Sequence, residues 1–436
     1  MKDSPMAREW KWEKIWGWGF LTAFFSYSLA HFIVICRMAV DVPFWDEWEL
    51  FVGYPRWSKD FLLGFQAEHR SLAAKMLLLL NLDFFHLNFR YQVIFNALLY
   101  AALVFLIWKT VARKIRPGFF PPALIAMLPF VSTLAVECHM MAFLGGKHLY
   151  LITFLLGTYA LFFKDSFLYL AVSLALLTFS LYSFAGCILG VSAVCVFYVM
   201  RLTFTRPPLF IQKISVTTLT LAAAVFFWLQ GFRRVPAHPS SPPWRFSFIR
   251  YFGEVVSLGF GFTDVNPFAA FACLALLFFA LALALRRTFR ERFQDRQYDF
   301  LIALSLGVLA MLSLITFGRS GFPLDQAKSS RYAEIAAFLP LLGLALFQRS
   351  SKLRVAGSAA VLLLLALGLH DNFGFKPYQI YYDWRMEGKR CVEEMMQHPD
   401  KNPKGMCPTV YPQSITEKLM RAKEMKVHFT QIPFEK

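Results

Sequence analysis

Two adjacent carboxylates flanked by tryptophans, in the pentapeptide Phe44-Trp45-Asp46-Glu47-Trp48, stand a few residues beyond the first apolar stretch of the chain. Indole rings settle at the headgroup depth of a bilayer, so Asp46 and Glu47 would be held near a membrane surface. A carboxylate there can serve as a base. An Asp partly shielded from water beside a second carboxylate has its proton affinity raised, which suits base work near neutral pH. Asp46 is therefore the candidate base, and Glu47 would bind an acceptor or orient His69. The competing reading has both acids capping an interfacial helix that starts near Asp46, because acids favour helix N-termini.

The other polar groups that could join such a base are scattered in sequence. Glu68-His69-Arg70 closes the same segment, with His69 read as a proton relay or phosphate ligand and Arg70 as a leaving-group ligand. Arg319, Lys328, Arg331 and Tyr332 fall in one short later segment, and Glu137 with His139 forms a secondary pair. Arg233, Arg234, Arg245 and Arg250 decorate a Pro-rich stretch, where the plain alternative is contact with lipid headgroups. Arginine offers a planar fork of donors matched to phosphate oxygens. For Arg319 and Arg331 the alternative is ion pairing with Asp325 and Glu334. A base and a cation set together suffice for displacement at a phosphate-linked carbon, where an acceptor loses a proton and a leaving phosphate gains charge.

These residues must be positioned by a membrane-embedded scaffold. Hydrophobic residues make up 57% of 436 positions, Phe alone counts 49, and the mean hydropathy is positive. Apolar runs predict an all-α polytopic bundle of about eleven spans, near 15–36, 90–109, 119–136, 148–163, 167–183, 185–203, 214–231, 264–285, 299–317, 332–347 and 355–370. The run 71–85 is too short to cross, since it would cover only about 22 Å as a helix. An interfacial or re-entrant helix is expected there, within an outer loop spanning 37–89.

The net charge of +17 sits in short clusters between apolar runs, which fits cytoplasmic loops rather than a nucleic-acid surface. Lys2, Arg8, Lys11 and Lys14 precede the first span, read as a retained signal-anchor. Lys109, Arg113, Lys114 and Arg116, then Arg201, Arg206 and Lys213, then Arg286, Arg287, Arg290, Arg292 and Arg296, then Arg349, Lys352 and Arg354, all fall on the cytoplasmic side of that count. The N-terminus is thus expected in the cytoplasm, and the domain 1–370 is followed by a small extracytoplasmic tail, 371–436. Cys391 and Cys407 both fall in that tail, where an oxidising compartment would allow a disulfide; two free thiols are the alternative. Cys36, Cys187, Cys195 and Cys273 are small hydrophobes. His31 and His370 read as structural, and His148 follows Gly145-Gly146-Lys147, a loop too short and too lightly glycine-marked for a phosphate cradle. No zinc spacing, Walker sequence, Rossmann fingerprint or nucleophile elbow is present.

A first outer loop opening with an Asp-Glu pair, a partly embedded helix in that loop and about a dozen spans together resemble the GT-C superfamily of glycosyltransferases. The likeness is greatest to the bacterial aminoarabinose transferase and protein O-mannosyltransferase branch. That resemblance implies that Asp46 of the Asp46-Glu47 pair is the base or positions the acceptor, and that the donor is a sugar on a polyprenyl phosphate. A large soluble C-terminal domain of the kind some branches carry is not expected. Phe44 to Arg70, Gly318-Arg319-Ser320-Gly321 and Ser329-Ser330-Arg331-Tyr332 are also similar to bacterial membrane proteins of uncharacterised function.

The expectation is a transferase in the bacterial inner membrane that acts on its outer face. Its partners would be a lipid-linked sugar donor, membrane lipids and a glycan, lipid or protein acceptor, with no nucleic acid. No cofactor is expected, a divalent metal being left open. The alternatives are an oligosaccharide polymerase or ligase of the same fold, and a flippase or transporter of lipid-linked sugar.

Overall fold

The computed structural model describes residues 5–53, 55–66, 68–115, 120–233, 235, 238–348, 353–402 and 404–431, with side chains from Gly17 onward except that of Phe120. Lys2, Arg116, Arg234, Arg349 and Lys352 lie outside the described residues, as do the side chains of Arg8, Lys11 and Lys14. In chain order the α-helices are α1 Pro5–Met38, α2 Lys59–Leu63, α3 Leu72–Phe85, α4 Phe89–Thr110, α5 Phe120–Val131, α6 Val136–Met140, α7 Gly146–Phe163, α8 Phe167–Ser183 and α9 Cys187–Thr205. They continue as α10 Phe210–Leu229, α11 Phe246–Leu258, α12 Pro267–Arg290, α13 Arg296–Arg319, α14 Ala333–Ala336, α15 Phe338–Gln348, α16 Arg354–Leu369, α17 Lys376–Gln397 and α18 Thr416–Glu424. Among the described residues there is no β-strand, only two isolated bridges.

Apolar composition and capping explain why the spans form where they do. Asn88, Ser166, Asn266 and Asp295 each accept a backbone N–H from the first turn of the helix they precede, satisfying donors that a helix start leaves orphaned. Among the described residues, 9 helical segments are long and apolar enough to cross a membrane. α8 and α16 are apolar but shorter, at 17 and 16 residues. Together these account for every span expected from the sequence, and the molecule is a polytopic helical bundle of an integral membrane protein.

Helix α3 does not cross. The backbone N–H of Ala73 at its start donates to Ser183 Oγ at the end of α8 (3.2 Å), and the carbonyl of His86 just past its end accepts from the N–H of His428 (2.7 Å). Ser183 shares a face with Gly146, because α7 and α8 form a hairpin. That face also holds residues 39–53, through the N–H of Phe143, which donates to Glu47 Oε1 at 2.9 Å. Both ends of α3 therefore lie on one side of the bundle.

Residues 376–431 are more than a tail. A second apolar core on this face packs Trp48, Phe51 and Phe89 against Val410, Ile415 and Phe429, and Cys391 is disulfide-bonded to Cys407 within it. Aromatic edges of Phe429 meet Trp48 and Phe51, and His428 Nδ1 pairs with Asp41 Oδ2 at 2.6 Å. The loop of residues 39–53, expected to be an outer one, and the C-terminal segment are thus one cap, which places them on the same side of the membrane. An even number of crossings must separate them, in agreement with α4, α5, α7, α8, α9, α10, α12, α13, α15 and α16.

Candidate functional site

Beneath this cap lies a cavity of about 740 Å³. It is enclosed by the first outer loop, the starts of α3, α7 and α9, and the ends of α8, α10 and α13. Its charged lining comprises Asp46, Glu49, Glu68, Lys147, Arg319 and Arg331, six groups that four separate stretches of sequence contribute.

Local backbone geometry decides which acid of the Asp-Glu pair reaches the cavity. Trp45 holds a left-handed conformation at φ 50°, unusual for a bulky residue, and its N–H donates to the Val410 carbonyl at 2.7 Å. A 3₁₀ turn over Trp45–Gly53 follows. Asp46 lines the cavity and makes no side-chain hydrogen bond or ion pair among the described residues. Glu47 faces the other way and corrects the expectation that it joins the chemistry. It is fully buried, accepting the N–H of Phe44 (2.8 Å) and of Phe143 (2.9 Å), with Arg385 Nη2 at 3.9 Å. Burial raises the pKa of its carboxyl against the pull of Arg385 and those amides.

Arg319, at the C-terminal end of α13, is the counterpart of Asp46. Its guanidinium lies over the Phe322 ring at 5.6 Å and makes no hydrogen bond or ion pair among the described residues. Arg331 joins it from the loop before α14, its Nε donating to Glu137 Oε2 at 3.1 Å. Asp46 is close enough to act on Arg331 electrostatically. Tyr332 lines the same wall. Neither Asp325 nor Glu334 is the partner of these arginines. Glu334 is buried against His148 Nδ1 (2.9 Å) and His139 Nε2 (3.6 Å), so His139 belongs to a buried network and not to the cavity, while Glu137 supports the cavity through Arg331.

His69 is held flat on Phe184 with ring centres 5.0 Å apart, and its Nδ1 accepts the N–H of Ala185 at 3.3 Å. In a neutral imidazole that contact leaves the proton on Nε2. Burial, reinforced by Arg319 and Lys147, lowers the pKa of His69 to about 3. It is therefore a neutral hydrogen-bond donor at physiological pH, which corrects the expectation of a proton relay.

Two expected phosphate ligands prove to be structural. Arg70 spends its guanidinium on the carbonyls of Leu63, Phe227, Trp228 and Gln230, the last at 2.6 Å, a cation satisfying the exposed C-terminal carbonyls of α10. Lys328 is buried against Glu254 Oε2 (2.9 Å), Ser257 Oγ (2.7 Å) and the Phe262 carbonyl (2.9 Å). Arg233, Arg245 and Arg250 are exposed and do not line the cavity.

Lys147 is a cation of the cavity lining that residue order does not single out, because Gly145-Gly146-Lys147 is too short for a phosphate loop. Its glycines serve close packing. A Cβ on Gly146 would sit 2.6 Å from the Cα of Ala74, so only glycine lets α7 start against α3 and bring Lys147 to the cavity. Its Nζ donates to the Arg331 carbonyl at 2.5 Å. His238, from the Pro-rich loop, meets Glu68 Oε2 at 3.1 Å on the cavity wall.

The lining is apolar as well as charged. Leu189, Leu229, Phe232 and Phe317 line the cavity and are also exposed on the bundle surface. Among the described residues no group of three His, Cys, Asp or Glu side chains is arranged to hold a metal ion.

No protein-family model matches the chain, and no curated protein matches it. Among solved structures it is similar to the crystal structure of ArnT from Cupriavidus metallidurans in the apo state, at 13% identity and a TM-score of 0.44, over 94% of this chain and 77% of that one. A likeness of that size assigns no role to any residue of the cavity.

Proposed function

We propose that the protein is a membrane glycosyltransferase that moves a sugar from a polyprenyl-phosphate donor to an acceptor on the side of the membrane where the cap lies, the extracytoplasmic face of a bacterial inner membrane. The observation that carries this reading is that one cavity holds a carboxylate, Asp46, and a guanidinium, Arg319, neither with a hydrogen-bonding or ionic partner among the described residues, beside apolar lining residues that are exposed on the bundle surface. Arg319 is half-buried without an acid partner, which is costly unless a ligand completes it, whereas Asp46 is exposed and open to an incoming acceptor. A lipid phosphate matches both halves, since its chain suits Leu189, Leu229 and Phe317 and its anion suits Arg319, Arg331 and Lys147.

In the reaction the acceptor hydroxyl gives its proton to the Asp46 carboxylate as its oxygen bonds to C1 of the sugar. The bond from C1 to the phosphate oxygen breaks, and its electron pair stays on the phosphate. The phosphate charge grows as that bond lengthens, so the guanidinium of Arg319 and the ammonium of Lys147 act more strongly on the transition state than on the bound donor. His69 donates Nε2–H to a phosphate oxygen and carries no charge.

The test uses purified protein in vesicles, a polyprenyl-phosphate sugar labelled in the sugar, and an envelope extract as acceptor. Label is expected to leave the prenyl phosphate with the native chain and to stay on it with Asp46→Asn. Failure of the native chain either to bind a prenyl phosphate or to transfer the label rejects the reading.

A further inference from the structure

Helix α17 of the C-terminal segment presents one face to the site. Tyr378, Tyr381 and Arg385 recur at i, i+3 and i+7 and so share a stripe. Tyr378 bonds His139 Nδ1 at 2.5 Å. Arg385 donates to the carbonyls of Val40, Val42 and Met140 in and beside the first outer loop. Tyr381 lies between them in sequence, and its hydroxyl donates to Glu137 Oε1 at 3.0 Å.

The other oxygen of Glu137, Oε2, accepts from Arg331 Nε at 3.1 Å and from the Ser329 hydroxyl at 3.3 Å. The carboxylate is thus divided between the arginine of the cavity and a tyrosine of the cap. Guanidinium and carboxylate favour a fork of two parallel bonds when both oxygens are free. Here Arg331 obtains one, and its Nη1 and Nη2 make no hydrogen bond among the described residues. Burial and the adjacent Glu137 both raise the pKa of the Tyr381 phenol, so it keeps its proton and remains a donor.

We infer that Tyr381 is a positioning residue: by holding Oε1 of Glu137 toward the cap it fixes the carboxylate orientation in which only Oε2 meets Arg331, and so leaves the terminal nitrogens of Arg331 available to the cavity. What those nitrogens then bind rests on the phosphate reading above; the geometry does not. The C-terminal segment thereby governs the cation set through Tyr381 as it governs the Asp46 loop through Arg385.

The experiment measures phenylglyoxal modification of Arg331 by mass spectrometry in the full-length protein. Native chain, Tyr381→Phe, Glu137→Gln and the double variant are compared. Tyr381→Phe removes one oxygen and is expected to slow labelling of Arg331 severalfold, as Glu137 closes both oxygens on the guanidinium. In the Glu137→Gln background the same change is expected to have no effect, because the competing carboxylate is gone. Labelling of Tyr381→Phe at the native rate, or an equal slowing in both backgrounds, overturns the inference; the latter would mark a packing role. Protection of Arg331 by farnesyl phosphate is read separately in the native chain. Its absence would count against the phosphate reading, while the labelling pattern of the four proteins would still decide the role of Tyr381.

Discussion

Asp46 and Glu47 are chain neighbours whose carboxylates serve opposite sides of the first outer loop. Asp46 enters the cavity without a partner, whereas Glu47 is sealed beneath the cap with both oxygens on backbone amides. The two substitutions that look alike in sequence should therefore behave differently. Asp46→Asn keeps the shape and removes the base, so turnover is expected to fall about 100-fold or more with unchanged thermal unfolding. Glu47→Gln turns an amide N–H toward a backbone donor and leaves Arg385 without its acid, a loss of about 1–3 kcal/mol. Measured unfolding temperatures in detergent, set beside kcat for each variant, check the contrast.

Arg319 and Arg70 form a second contrast, because one guanidinium is free and the other is fully engaged by carbonyls. Arg319→Ala should lower kcat/KM about 100-fold, the scale of losing one donor to a developing anion. Arg319→Lys should recover part of this, as a point charge cannot reproduce the fork. Arg70→Leu should instead lower the unfolding temperature by uncapping α10, with farnesyl phosphate affinity changed little in the protein that remains folded. Titrations of farnesyl phosphate binding for the three variants separate a ligand from a scaffold residue, and equal losses for Arg319 and Arg70 would refute the distinction.

Much of this arrangement was legible from residue order, for identifiable reasons. Long apolar runs announce spans because a bilayer demands about twenty apolar residues per helix, and 71–85 betrayed its interfacial character by being too short. Asp46 stood out through Trp45 and Trp48, but Trp48, expected at headgroup depth, is fully buried in the core of the cap. What residue order concealed is the direction of side chains. Arg70 and Arg319 are equally arginine in the sequence, and only the path of α10 past the first outer loop consumes one of them. Lys147 was hidden for a different reason, since its glycines permit helix contact with Ala74 and not phosphate wrapping. Glu137 as the partner of Arg331 bridges 194 positions, a pairing no local pattern announces.

The disulfide between Cys391 and Cys407 should matter to the cavity through the cap. Its sequence separation is 16, for which loop-closure entropy suggests about 3 kcal/mol of stabilisation. Val410 follows three residues later and holds the N–H of Trp45, next to Asp46. Cys391→Ser with Cys407→Ser is therefore expected to expose residues 376–431 to limited proteolysis earlier than in the native chain. Turnover is expected to decline with it, while the bundle helices stay resistant. Equal cleavage rates for the two proteins would show that the apolar contacts of Trp48 and Phe429 hold the cap unaided.

His69 gives the cavity a pH signature of determinate sign. In the folded chain burial holds its pKa near 3, against 6.5 for an unperturbed imidazole. As pH falls below about 6.5 the unfolded chain takes up a proton that the folded chain refuses, so stability declines between those two values and levels off below the lower one. His69→Asn preserves an acceptor for the Ala185 N–H, cannot titrate, and lacks the Nε2 donor. It should therefore flatten the loss of stability between pH 6.5 and 3 while weakening farnesyl phosphate binding at neutral pH. A variant whose unfolding temperature falls with acid as steeply as that of the native chain would show that His69 is protonated in the fold, and would return it to the cation set beside Arg319 and Lys147.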